Sequence, residues 1–267
     1  MSASGRGKAL TIAVVYPDLL GTYGDGGNGT VLARRAAWRG LEVELLGALS
    51  SARLPEADIY CLGGGEDAPE VRAADLLHED GTLTEAAAGG AVVLGVCAGY
   101  QLLGRSFPDA AGRERAGLGL LDVVSVKGSG RRAVGELLAE VLPAGPPADG
   151  GKGLPVLNGF ENHGGVTTVG SGSAPLARVV RGVGNGDGSG TEGAWSGRIL
   201  GAYLHGPLLA RNTALADVLL TWALDARGGD VNLQPLDDTE ESALHAERVR
   251  ASSANGRGRV FERILRR

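Results

Sequence analysis

Ala91-Val92-Val93-Leu94-Gly95-Val96-Cys97-Ala98-Gly99-Tyr100-Gln101 is an apolar run that ends on one cysteine among small residues and continues into a helix-forming stretch. A chain that leaves a buried strand and enters a helix at once folds back sharply, and Gly95, Ala98 and Gly99 relieve the crowding at such a turn. The thiol of Cys97 is then presented at a helix N-terminus. Unpaired backbone N–H groups and the positive end of the helix dipole are expected to favour thiolate there and to bind an oxyanion. Free cysteines are commonly small core residues, but the turn shifts the reading of Cys97 toward a nucleophile.

Working outward, residues 10–16 and 41–46 read as strands on either side of a helix over 28–39 that Gly40 closes. Residues 59–62 form an apolar run into Gly63-Gly64-Gly65, a helix covers 69–77, and 91–96 is the strand before Cys97. Short strands apolar on both faces, with helices between them, predict an α/β domain whose mostly parallel central sheet is flanked by helices. Ligands of such sheets bind beyond the carboxyl ends of the strands, where the triple glycine and Cys97 both fall.

The second half carries Gly- and Pro-rich stretches at 143–153 and 182–193 that read as exposed loops. Strand-like pieces are expected at 155–157, 167–169 and 199–204, and an amphipathic helix over 208–224. This divides the chain into a polar lead over 1–8, one domain over 9–226 and a C-terminal extension over 227–267. The extension is expected to hold a charged, solvated helix running into Arg257, Arg259, Arg263, Arg266 and Arg267.

Composition narrows the function. With 267 residues, 43% of them hydrophobic, the chain can bury a sizeable core, and a net charge of -5 argues against nucleic acid as the main partner. The first apolar run is strand-length, without a secretory h-region, and no stretch reaches the roughly 18 residues of a membrane span. Two cysteines, Cys61 and Cys97, without a CxxC pair, fit a reducing cytoplasm. No pair of histidines or cysteines has metal-ligand spacing, so no metal is expected.

A thiol nucleophile needs a base. His78 and His245 lie in charged helical stretches and are expected at the surface. His205 ends the run Leu200-Gly201-Ala202-Tyr203-Leu204-His205-Gly206-Pro207, a second strand followed by a turn, and is the favoured base. His163, within Gly159-Phe160-Glu161-Asn162-His163-Gly164-Gly165, competes with it but suits a hydrogen-bonding role in a loop.

Gly95-Val96-Cys97-Ala98-Gly99-Tyr100-Gln101 resembles the G-x-C-x-G-x-Q nucleophile motif of class I glutamine amidotransferases, and Tyr203-Leu204-His205-Gly206-Pro207 resembles their cobyric acid synthase-like branch. With Tyr23-Gly24-Asp25-Gly26-Gly27-Asn28, Gly63-Gly64-Gly65-Glu66-Asp67 and the block around His163, these motifs are similar to the glutaminase subunits of lipid II isoglutaminyl synthase over roughly residues 9–250. The resemblance implies that Cys97 attacks the side-chain amide of L-glutamine while His205 moves the proton to the departing ammonia. It also implies an oxyanion hole from the Ala98 N–H and the 63–65 loop, with Gly64 as the contacting glycine. Gln101 would help hold the site, and Arg132, or its neighbour Arg131, would grip the substrate carboxylate.

The same resemblance implies a Mur-ligase-like partner, called MurT in that family, which amidates the D-glutamate α-carboxyl of lipid II with the ammonia. The lipid acceptor would bring both to the inner membrane face. ATP and Mg are expected on the partner, because this chain has no GxxxxGK[ST] loop. The nearest glycine-rich stretch, residues 24–30, lacks the lysine and reads as a turn with Asn28 as a helix cap. One position departs from the class: the acid expected two residues after the histidine is Pro207. Asp18, Asp25 or Glu161 could replace it, or the partner could lend an acid. The resemblance favours the partner, so the isolated chain is expected to be a poor glutaminase. A cobyric acid synthase-like amidotransferase, a free-standing Cys-His hydrolase and a non-catalytic binding module stay open as alternatives.

Overall fold

Short apolar strands and intervening helices build the first half of the computed structural model, which describes residues 9–143, 145–146, 153–229 and 232–254. The chain runs β1 (Leu10–Val15), α1 (Gly27–Trp38), β2 (Val43–Ala48), β3 (Ile59–Leu62), α2 (Asp67–Asp80), α3 (Thr82–Ala88), β4 (Val92–Val96) and α4 (Ala98–Leu103). It continues through β5 (Ser106–Pro108), β6 (Glu114–Ala116), β7 (Val123–Lys127), β8 (Ala133–Val141), β9 (Leu157–His163), β10 (Gly165–Val169) and β11 (Ala174–Arg181). It ends with β12 (Thr191–Ser196), β13 (Ile199–Ala202), α5 (Leu208–Arg211), α6 (Thr213–Ala226) and α7 (Thr239–Ala254).

The main sheet has the order β2-β1-β3-β4-β13-β12-β11-β8-β9. Its first five strands are parallel, and β3 and β4 are buried at every position, which is why they read as unbroken apolar runs. β13 comes back beside β4 with Ala202 opposite Val96. That register brings the carboxyl end carrying Cys97 beside the one that leads into His205.

The remaining four strands are antiparallel, and a second sheet of order β10-β7-β5-β6 accompanies them. The parallel half matches the sequence reading; β8, β11 and β12 did not stand out because their burial is mixed and they carry Glu, Arg and Gly. β9 extends well past the strand expected over 155–157, through Asn158 to His163. Asn158, Glu161 and His163 are buried on it, and His163 pairs with Ala133 of β8, so that histidine lies on a strand and not in a loop.

The single helix expected over 208–224 is two. Asn212 breaks it: its Nδ2 donates to the carbonyls of Asn158 and Leu208 at 2.8 Å each, and its Oδ1 accepts the Asn158 N–H at 3.0 Å.

The C-terminal extension is also better anchored than a solvated helix. Arg35 of α1, 1% exposed, donates in pairs to Asp217 and Asp238 at 2.6–2.8 Å. On α7, Val249 and Ser252 are buried, and half-buried His245 meets Asn158 Nδ2 at 2.8 Å. His78 is exposed, as expected. The lead over 1–8, most of 143–153 and the arginine-rich end lie outside the described residues. Among the described residues no helix is long and apolar enough to cross a membrane.

Candidate active site

Cys97 caps α4 with φ 54° and ψ -107°, a left-handed conformation that a non-glycine residue holds only when its surroundings enforce it. The elbow is tight enough to need glycine on both sides. A Cβ on Gly95 would lie 2.6 Å from the Gly99 carbonyl oxygen, and one on Gly99 would lie 2.7 Å from Leu62. The sequence reading expected the helix N-terminus to favour thiolate. In the structure burial pushes the Cys97 thiol up, the nearby carboxyl groups of Glu70 and Asp25 add to this, and the Ala98 N–H and the Arg132 charge only partly oppose it. α4 is six residues long, too short a helix to outweigh these effects. Cys97 therefore needs a base.

The histidine at the neighbouring strand end is His205. Its backbone is paired with Phe160 in both directions, at 2.9 and 3.0 Å. Its Nδ1 lies 2.7 Å from Asp25 Oδ2, its ring meets Tyr23 at 4.7 Å between centroids, and its buried Nε2 has no partner among the described residues. With Nδ1–H donating to Asp25, Nε2 is left as the basic nitrogen. Asp25 is 1% exposed and its Oδ2 also accepts the Gly64 N–H at 3.1 Å.

Of the three acids weighed from the sequence, Asp25 is the one that faces His205. Asp18 binds Ser50, and Glu161 accepts the N–H groups of Val183 and Gly184. The acid against the imidazole comes from this chain, from the loop before α1.

The other expected site residues separate into groups. Gly64 adjoins His205, but its N–H is taken by Asp25 and is not free to meet an oxyanion. Arg132 is exposed and aimed across the site: Nε and Nη2 donate to Asn162 at 2.6 and 2.9 Å, and Nη2 reaches the Tyr23 hydroxyl at 3.4 Å. Gln101 is buried and donates to the Tyr203 hydroxyl at 2.9 Å, in a chain that runs on to Thr167 and Ser125. In this state it braces the floor of the site. His163 stacks on Tyr203 at 3.7 Å and binds the Gly165 carbonyl, so it does not compete for Asp25. Asn28 does not cap its own helix α1; its Oδ1 accepts the first-turn Leu209 N–H of α5 at 2.9 Å, tying α1 to α5.

Tyr23, Asn162 and Glu70 received no role from the sequence. Tyr23 and Asn162 sit inside blocks that carried the resemblance. Glu70 shares the buried face of α2 with Ala73, Ala74 and Leu77, so an acid on an apolar stripe was its signal.

The family described as the CobB/CobQ-like glutamine amidotransferase domain matches residues 11–213. The chain belongs to that family. Within it, the amidotransferase is 33% identical over 249 residues to the GatD subunit of lipid II isoglutaminyl synthase (glutamine-hydrolyzing) of Staphylococcus aureus strain N315, covering 92% of this chain and 96% of that one. The GatD subunit of Streptococcus pneumoniae strain R6 is 32% identical over 233 residues, covering 86% of each. At that identity and coverage the amidotransferase is a member of the GatD family. It is also 41% identical over 162 residues to the cobyric acid synthase of Pelotomaculum thermopropionicum, but spans only 30% of that protein's length. Among solved structures, PurLQS from Thermotoga maritima shares the fold, with a TM-score of 0.56 at 18% identity over 82% of this chain and 99% of that one.

Proposed function

We propose that this amidotransferase hydrolyses L-glutamine at Cys97 and passes the ammonia to a Mur-ligase-like partner, MurT in the related systems, which amidates the D-glutamate α-carboxyl of lipid II. The observation that carries the catalytic part is the imidazole of His205, held at Nδ1 by Asp25 with Nε2 unpartnered at the strand end beside Cys97. The acceptor and the partner rest on the similarity to GatD subunits over most of the chain.

His205 Nε2 takes the Cys97 proton as the sulfur bonds to the amide carbon of glutamine. The imidazolium, stabilised by Asp25, returns that proton to the amide nitrogen; the carbon–nitrogen bond breaks and ammonia leaves. Water then gives a proton to His205 and attacks the thioester, releasing glutamate and restoring the thiol. The Ala98 N–H serves the developing oxyanion. A second donor becomes available if substrate draws the Gly64 N–H from Asp25. Arg132 exchanges its contacts with Asn162 and Tyr23 for the substrate carboxylate. ATP and Mg, which the acceptor's activation needs, belong to the partner, and both proteins would work in the cytoplasm at the inner membrane face.

The test uses the complex with the Mur-ligase-like protein and follows amidation of lipid II by mass spectrometry. Cys97→Ala is expected to abolish amidation driven by glutamine while leaving amidation driven by added ammonium chloride. Glutamine-driven amidation that survives in Cys97→Ala sinks the reading.

A further inference from the structure

Glu70 stands in the first turn of α2, which follows the glycine loop lining the site and packs on α4 behind the Cys97 elbow. It is 4% exposed, and its Oε1 is buried with no hydrogen-bond partner among the described residues. Its carboxyl lies close enough to Cys97 to raise the thiol, as does that of Asp25. Asp25 Oδ2 is committed to His205 and Gly64, which fixes that carboxyl against the imidazole. Glu70 has no such commitment. A buried carboxyl oxygen without a donor is costly, and one beside a nucleophile fits a site whose ligand supplies the donor.

Glutamine brings such a donor. Three carbon–carbon bonds join its amide carbon to its α-carbon, so an amide positioned at Cys97 leaves the α-carboxylate and α-ammonium within reach of nearby side chains. Arg132 suits the carboxylate; the ammonium needs an acid. Building on the glutaminase reading, we propose that Glu70 accepts the α-ammonium of L-glutamine and makes the site select the free amino acid over amides that lack this group. The ammonium N–H groups donate to the Glu70 carboxylate, a charge-assisted contact strengthened by the dry surroundings. Burial, with Asp67 adding to it, holds the Glu70 carboxyl well above the usual carboxylate range. An ammonium placed beside it favours the ionised carboxylate.

The test compares ammonia release from L-glutamine and from glutaramate, the same amide without the α-amino group, using the complex with the partner ligase. The wild type is expected to prefer L-glutamine. Glu70→Gln is expected to lower kcat/KM for L-glutamine about 10²-fold, mainly through KM, and to leave glutaramate within a few-fold, so that selectivity collapses. Equal losses on both substrates, or unchanged selectivity, overturn the assignment. A second readout does not depend on the folding of that variant. Calorimetry of Cys97→Ser is expected to show L-glutamine binding at least about 10-fold more tightly than glutaramate. Equal affinities for the two ligands overturn the assignment as well. A wild-type complex that releases no ammonia from L-glutamine removes the glutaminase reading and this one together, whereas turnover without the selectivity change removes the role of Glu70 alone.

Discussion

Asp25 Oδ2 lies 2.7 Å from His205 Nδ1, a contact between residues 180 positions apart in the chain. It fixes the tautomer and the ring orientation, and it places a negative charge where the imidazolium forms. Asp25→Asn keeps the shape of the side chain and removes that charge. We expect kcat for ammonia release to fall about 10²- to 10⁴-fold with the melting temperature little changed. Turnover within a few-fold of wild type would show that the imidazole needs no acid.

Gly64 is crowded by the same pair. A Cβ there would sit 2.7 Å from His205 Cε1 and 3.2 Å from Asp25 Oδ2. Its φ lies outside the left-handed region, so alanine is excluded by contact and not by backbone strain. Gly64→Ala should therefore tilt the imidazole without unfolding the loop. The expected outcome is a drop in kcat of about 10²-fold, with thermal stability within about 1 kcal/mol of wild type. Normal turnover would mean that the ring tolerates displacement.

The structure also separates the two neighbouring arginines. Arg132 bridges Asn162 and Tyr23 and its charge reaches Cys97. Arg132→Lys loses the planar fork, and the expected result is a KM for L-glutamine raised about 10- to 100-fold with kcat less affected. Arg131→Lys should leave both constants unchanged. Steady-state kinetics of the two variants decide the assignment, and the reverse pattern would move the anchor to Arg131.

What could be read from the sequence follows how each element is buried. β3 and β4 are enclosed on both faces and announce themselves as apolar runs; the elbow at Cys97 follows from β4 and its small neighbours. His205 was legible for the same reason, at the end of β13. Asp25 was only one of three candidate acids, because nothing local tells which carboxylate meets a histidine 180 residues away. β9 was hidden because Asn158, Glu161 and His163 on it are polar yet buried, with bonds to residues such as Asn212, Val183 and Gly165. Hydrophobic periodicity cannot register burial of that kind. Tyr23 and Asn162, which the sequence left without a role, meet the expected Arg132 only because three separate segments of the chain come together there.

Glu192 of β12 supplies a pH-dependent prediction. It is fully buried; Oε1 accepts the Tyr203 N–H at 2.6 Å, while Oε2 has no partner among the described residues. Burial, with Glu161 adding to it, pushes its carboxyl up from 4.5 to about 8, although the N–H groups of Tyr203, Gly193 and Leu204 pull the other way. Between those values the folded chain holds a proton that the unfolded chain has released. The contribution of Glu192 is thus most favourable below pH 4.5 and is lost as pH rises toward 8, by up to about 1.4 kcal/mol per unit. Glu192→Gln keeps an acceptor for Tyr203 and removes the titration. Its melting temperature relative to wild type should therefore rise between pH 5.5 and pH 8.5, whatever the substitution costs at the acidic end. Melting curves across that range that run parallel for the two proteins would mean that Glu192 is already ionised in the folded chain.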